Sequence, residues 1–256
     1  MIECQNISFR VDGIPLLDDI NWQFSRRKIT AIIGANGAGK STLLKTLLGS
    51  LKPESGSVQI GGQPIAQWSL QELAVRRAYM AQTGVFKLGV SVLEYLLLAR
   101  VHYCEPQAMS DAYVNEVIQL LCLQSLAHKR LDSLSGGEYQ RVELGRAWCQ
   151  LIGPEQLDDK LLLLDEPASA LDINQSQKLY HYLQRFVSDG GTVIVVEHDI
   201  NTAAKYCDEI LFLKQGQCLA AGDKATVFTE TNLNHCFNVN GRLLQCQHSA
   251  TLSFSL

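Results

Sequence analysis

The chain has 256 residues, enough for one large domain or a domain carrying an inserted lobe. Hydrophobic residues at 46% and charged residues at 19% exclude disordered and fibrous classes. A net charge of −4 argues against a dedicated nucleic-acid binder, which carries a basic field. The first elements read as β. Ile2, Ile7 and Phe9 lead to a turn at Asp12-Gly13, and apolar residues resume up to Phe24. Arg26-Arg27-Lys28 reads as a solvated turn, and residues 28–33 as a short buried strand. Leu43, Leu44, Leu47 and Leu48 repeat at helical spacing and stop at Gly49. Pro53, Gly56, Gly61 and Gly62 punctuate a hairpin around residues 58–60.

Between about residues 90 and 132 the glycines vanish and helical patterning takes over. Ser110 is expected to cap a helix with Tyr113, Val117, Leu120 and Leu121 on one face. Ser135-Gly136-Gly137 opens another helix, running to about Gln150. Residues 153–159 form a polar connector, and 160–165 a second buried strand. Asp172 caps a helix that turns Leu179, Leu183, Phe186 and Val187 inward. A third buried strand, 192–196, ends at Glu197-His198, and 210–213 with 218–221 form a hairpin turning at Gln215-Gly216. Continuous apolar strands alternating with amphipathic helices imply a parallel sheet covered on both faces.

Eight cysteines, at 4, 104, 122, 149, 207, 218, 236 and 246, show no two-residue spacing of the zinc-ribbon kind. They are expected to be scattered buried thiols in a reducing compartment. The start lacks a basic leader, an apolar stretch and a cleavage site, so no signal peptide is expected. No apolar run approaches the roughly 18 residues of a membrane span. Work at a membrane would therefore pass through another subunit.

Gly34-Ala35-Asn36-Gly37-Ala38-Gly39-Lys40-Ser41-Thr42 follows a strand, opens a helix and has the spacing of a phosphate-binding loop. Glycines let successive N–H groups point at one anion, and the helix start adds partial positive charge. Lys40 would reach the β- and γ-phosphates and Ser41 would hold Mg²⁺. The glycine order is not that of dinucleotide folds, which argues against an NAD enzyme. Asp165-Glu166 closes a buried strand: Asp165 would orient the Mg²⁺ shell, and Glu166 suits a general base for a water in line with the γ-phosphate. Taken alone, such an acidic pair is as readily a solvated strand end. Leu134-Ser135-Gly136-Gly137-Glu138 offers a hydroxyl and bare N–H groups at a helix start, a second anion site. In isolation it would be an ordinary capping box.

These segments together resemble the ATP-binding-cassette ATPases. Residues 34–42 are similar to their Walker A motif, Gln82 to the Q-loop glutamine, and 134–141 to the signature motif. Residues 161–167 are similar to Walker B, 169–172 to the D-loop, and Glu197-His198-Asp199 carries the switch histidine. The resemblance covers about residues 2–230. It implies an α/β P-loop NTPase with a RecA-like core (about 2–82 and 140–230) and an antiparallel β lobe. A helical lobe would be inserted at about 83–139, with a C-terminal extension at about 231–256, all within a single domain. It further implies a head-to-tail homodimer with ATP between Lys40 of one chain and Ser135, Gly136, Gly137 and Glu138 of the other, close to Asp172. Glu166 would polarise the water, His198 would hold it and the γ-phosphate, and Gln82 would sense metal and transporter. Ser41, Gln82 and Asp165 would be the Mg²⁺ ligands. Where the family often stacks adenine on an aromatic, this chain has Val11, and Ala168 replaces the usual Thr or Ser after the Walker B proline.

A stand-alone cassette resembles the subunits of prokaryotic importers. Residues 62–79, the connector 149–160 and the tail resemble those of importers for iron complexes and corrinoids. Haem is favoured, with vitamin B12 and ferric siderophores as alternatives. The implied partners are two copies of an integral membrane permease at the cytoplasmic face of the cell membrane and, indirectly, a periplasmic substrate-binding protein. Residues 83–100, with Leu88, Val90 and Val92 as apolar contacts, are expected to face a short permease helix. A non-transport cassette acting on nucleic acid or ribosomes is the different-class alternative. The acidic charge and the missing basic extensions argue against it.

Overall fold

In the first strands, apolar side chains recur on one face and polar ones on the other, which is the pattern of a half-buried sheet. Strands β1 (Ile2–Val11) and β2 (Ile14–Phe24) form an antiparallel hairpin, with Ile2 opposite Phe24 and Val11 opposite Ile14. Asp12 and Gly13 both turn through positive φ, at 50° and 80°. The third strand, β3 (Ile29–Ile33), is buried at every residue, and helix α1 (Lys40–Leu48) follows it through the glycine loop. Strands β4 (Ser55–Ile60) and β5 (Gln63–Pro64) extend the first sheet to the order β2-β1-β4-β5. The computed structural model describes residues 2–82, 89–154, 157–169, 171–246 and 249–254. It divides into two compact units, Met1–Trp68 with Thr192–Leu256, and Ser69–Gly191.

The 69–191 unit holds α2 (Leu70–Ala74), β6 (Arg77–Met80), α3 (Val92–Leu98), α4 (Gln107–Leu120), α5 (Gly136–Leu151), β7 (Leu161–Asp165) and α6 (Ile173–Ser188). Strands β6 and β7 run parallel, with Met80 opposite Leu164. Trp148 of α5 meets Phe186 of α6 edge-on at 5.1 Å, and both rings are buried. Three expectations are corrected here. Helix α4 begins at Gln107 after Pro106, and Ser110 lies buried inside it. Its hydroxyl donates to Glu105 at 2.8 Å instead of capping the helix. On α6 the inward face includes Tyr180, while Val187 is only half-buried. Val92 is wholly buried, so it is core rather than a docking contact; Val90 is half-buried and Leu88 lies outside the described residues.

The chain returns to the first unit with β8 (Thr192–Val196), α7 (Ile200–Tyr206), β9 (Glu209–Lys214) and β10 (Gln217–Asp223). There β3 lies between β8 and β9 and is parallel to both, with Ile32 opposite Val196 and Leu211. Antiparallel β10 completes the expected hairpin with β9. Elements α8 (Lys224–Val227), α9 (Glu230–Phe237) and the hairpin β11 (Gly241–Cys246) with β12 (Ser249–Phe254) close the chain. The basic turn before β3 is not merely solvated. Lys28 bonds the buried Glu209 at 3.0 Å and Asp223 at 2.7 Å, because an acidic residue buried at a strand start needs a cation. The thiols are not uniformly buried either: Cys104 and Cys122 are exposed, and both sit at positive φ in turns. Helices commonly end in a residue in the left-handed conformation, and these two cysteines occupy such positions.

Candidate functional site

In the first unit the glycine loop is clamped from two sides. A Cβ on Gly34 would lie 2.2 Å from the Leu213 carbonyl oxygen of β9, and one on Gly39 would lie 2.4 Å from that of Leu16 in β2. Gly37 and Gly39 adopt φ of 78° and 102°, which L side chains rarely reach. Ala38 donates its N–H to Ala35 at 3.1 Å, and Gly216 donates to Ala38 at 2.9 Å. The Lys40 ammonium is buried and turns back to the carbonyls of Gly34 and Ala35 at 2.8 and 3.1 Å. A cation is thus held inside a ring of backbone. No side chain caps α1, whose first turn of N–H groups follows Gly39 directly. Ser41 and Thr42 lie in that turn.

The neighbouring strand brings a second group to the same end of the sheet. His198, exposed, follows β8, whose partner β3 leads into the loop. Glu197 before it is buried, and its carboxylate accepts from the backbone N–H of His198 at 3.2 Å and of Asp199 at 3.3 Å. Asp199 then caps α7. The histidine backbone is therefore held by Glu197, and the helix that follows it by Asp199. Val11 lies at the hairpin tip, 45% exposed beside the more open Ile14, on the strand pair that supplies Leu16 to the loop wall.

The 69–191 unit builds two further clusters. At the ends of β6 and β7, the Gln82 amide donates to the Glu166 carboxylate, and the Tyr79 hydroxyl reaches Asp165 at 3.5 Å. Asp165 is buried, and Glu166 stands at φ 50°. Burial and the Asp165 charge push the Tyr79 phenol up to about 12. Elsewhere, Ser135 caps α5: its hydroxyl accepts from the Glu138 N–H at 3.3 Å, and the Ser135 N–H donates to the Glu138 carboxylate at 2.9 Å. Those bonds hold the Glu138 carboxyl below its usual range. Gly136 has open space around it, whereas Gly137 is pressed by the Gln175 side chain. Gln175 is bound in turn by Asp172, the N-cap of α6. The signature and D-loop segments therefore meet through Gln175, a residue that motif spacing does not point to. Ala170 lies outside the described residues.

Within the 69–191 unit the Asp165 carboxylate and the Gln82 amide carbonyl are hard oxygen donors, and in the first unit the Ser41 hydroxyl is another; each suits Mg²⁺ rather than a softer metal. Among the described residues no group of three or more His, Cys, Asp or Glu forms a metal cage. Mg²⁺ held by few side chains together with phosphates needs none.

Residues 17–169 match the sequence model of the ABC transporter family. The chain belongs to that family. This ABC protein is 36% identical to the hemin import ATP-binding protein HmuV of Escherichia coli O157:H7, over 96% of this chain and 95% of that one. It is also 36% identical to the vitamin B12 import ATP-binding protein BtuD of Vibrio cholerae, over 96% and 98%. A solved dimeric bacterial ABC transporter cassette superposes with a TM-score of 0.75 at 26% identity, over 87% of this chain and 98% of that one. The ABC protein is an ATPase with the P-loop NTPase fold. Among its described residues, no helix is long and apolar enough to cross a membrane.

Proposed function

We propose that the protein is the ATP-hydrolysing subunit of an importer for haem or a related iron complex or corrinoid, acting on a separate permease at the cytoplasmic face of the membrane. The observation that carries nucleotide binding is the loop at 34–40, a backbone cradle with a buried ammonium at its centre and a helix start without a side-chain cap. Haem is favoured because hemin import proteins recur among the relatives; vitamin B12 is the second reading, from the BtuD relative. The dimeric cassette supports a homodimer.

In this reading Gly34, Ala35, Asn36, Gly37, Ala38, Gly39, Lys40 and Thr42 hold the phosphates, and Val11 gives the adenine an apolar contact. Ser41, Gln82 and Asp165 would hold Mg²⁺. When bound, the metal neutralises charge on the phosphate oxygens. Glu166 takes a proton from the attacking water, a step that contributes roughly 10²–10⁴-fold. His198 holds the water and the terminal phosphate. Ser135, Gly136, Gly137 and Glu138 of the second chain, with Asp172 nearby, complete the anion site. Lys40→Ala should abolish ATP binding in a filter assay while the circular-dichroism spectrum is kept. Reconstituted with its permease, the wild type should drive ATP-dependent haem uptake into vesicles. Wild-type hydrolysis by Lys40→Ala would overturn the site, and uptake of vitamin B12 alone would overturn the haem assignment.

A further inference from the structure

Tyr79 stands three residues before Gln82 and is held from both ends. Its carbonyl oxygen accepts from the Arg146 guanidinium at 2.6 Å. Arg146 is paired with Glu143 at 3.2 Å, and Glu143 also accepts the buried Tyr95 hydroxyl. Helix α5 thus fixes the Tyr79 backbone, while the half-buried ring lays its hydroxyl 3.5 Å from Oδ2 of Asp165. Packing alone would be served by phenylalanine. Only the phenol adds a donor aimed at a carboxylate oxygen, and such a donor restricts rotation of the carboxylate about its last torsion. A phenol hydroxyl can donate to a carboxylate, which phenylalanine cannot do.

We propose that Tyr79 is a positioning residue for Asp165, orienting its carboxylate toward a divalent cation. This rests on the reading of Asp165 as a Mg²⁺ ligand. Losing a hydrogen bond that orients a ligating carboxylate lowers metal affinity.

The test is binding of Mn²⁺, as an electron-paramagnetic-resonance probe, to the full chain with a non-hydrolysable ATP analogue. Tyr79→Phe should weaken Mn²⁺ binding roughly ten- to hundredfold. The Mg²⁺ concentration for half-maximal hydrolysis should rise by the same factor, with kcat recovering at saturating Mg²⁺. Nucleotide affinity in EDTA and the thermal midpoint should stay at wild-type values. A merely structural role would move those two and would not be rescued by metal. Unchanged Mn²⁺ affinity in Tyr79→Phe, with affinity lost in Asp165→Asn, overturns the proposal alone. Unchanged affinity in Asp165→Asn overturns the metal role of Asp165 and the proposal with it.

Discussion

Gln82 donates its side-chain amide to the carboxylate of Glu166, tying the residue just past β6 to the residue just past β7. Glu166 is also one of ten non-glycine residues at positive φ among the described residues, a conformation that costs of order 1–3 kcal/mol. Register explains the meeting: Met80 lies opposite Leu164, so both chains leave the parallel pair at one end. A proposed base is thereby oriented by the segment that the family resemblance assigns to transporter contact. Gln82→Ala should leave ATP binding measured in EDTA unchanged and lower kcat. The loss should not exceed about tenfold, because Gln82 is exposed and a hydrogen bond to a charged group is weakened by water. Steady-state kinetics check this. A rise in KM with kcat unchanged would mean that Gln82 serves binding instead.

The glycines of the loop are needed for different reasons, and substitution separates them. Gly34→Ala must push Leu213 backbone aside, since the added carbon would sit 2.2 Å from its carbonyl oxygen. Overpacking of that kind costs about 1–3 kcal/mol. Gly37 has nothing within 4 Å, so Gly37→Ala meets only the strain of φ 78°, about 1–2 kcal/mol. Urea unfolding should rank Gly34→Ala as the less stable of the two. An equal or reversed order would show that the clamp by β9 is soft.

Arg100 and Glu105 form a buried pair in the 69–191 unit, joined by two bonds at 2.8 and 2.7 Å. Arg100 also donates to the carbonyls of Cys149 and Ile152 and lies over the rings of Tyr103 and Tyr113. Glu105→Gln leaves a buried cation short of its counter-charge, which costs about 3–5 kcal/mol. The hydrogen bonds from Arg100 hold the Glu105 carboxyl below its usual range. The ionised pair therefore stabilises fully above the unfolded carboxyl value of about 4.3 and loses its contribution as pH falls through the lower folded value. Unfolding midpoints measured against pH should show a constant gap between wild type and Glu105→Gln at neutral pH, narrowing below about pH 4. A gap that widens in acid would reverse the assigned direction.

Local chemistry made some of these features legible and tertiary pairing hid the rest. Gly34 to Ser41 could be read because a loop between a strand and a helix start leaves few residue choices. Ser135 and Asp172 could be read as caps because capping depends on residues within one turn. Ser110 misled for the complementary reason: Glu105 takes its hydroxyl, and Pro106 starts the helix earlier. Lys28 looked solvated because its acceptors, Glu209 and Asp223, lie far along the chain. The Tyr79–Asp165 and Gln175–Gly137 meetings depend on strand register and helix packing, which residue spacing does not encode.

Glu166→Gln separates binding from chemistry. The substitution removes the proposed base and keeps a carbonyl oxygen to accept the Gln82 amide. ATP should still bind, while hydrolysis falls by roughly 10²–10⁴-fold. With the closing ligand no longer consumed, mass action should hold two chains together, giving an ATP-dependent dimer in size-exclusion chromatography and a monomer with ADP. Adding Ser135→Arg should abolish the dimer, because a bulky cation would fill the second anion site. That change also removes the α5 cap, worth about 1 kcal/mol. Ser135→Ala in the same background removes the cap without the bulk, so its dimer should persist, weakened. A dimer that survives Ser135→Arg would rule out an ATP site shared between two chains, and normal hydrolysis by Glu166→Gln would rule out Glu166 as the base. Loss of the dimer in Ser135→Ala with the protein still folded would assign the hydroxyl itself to the nucleotide.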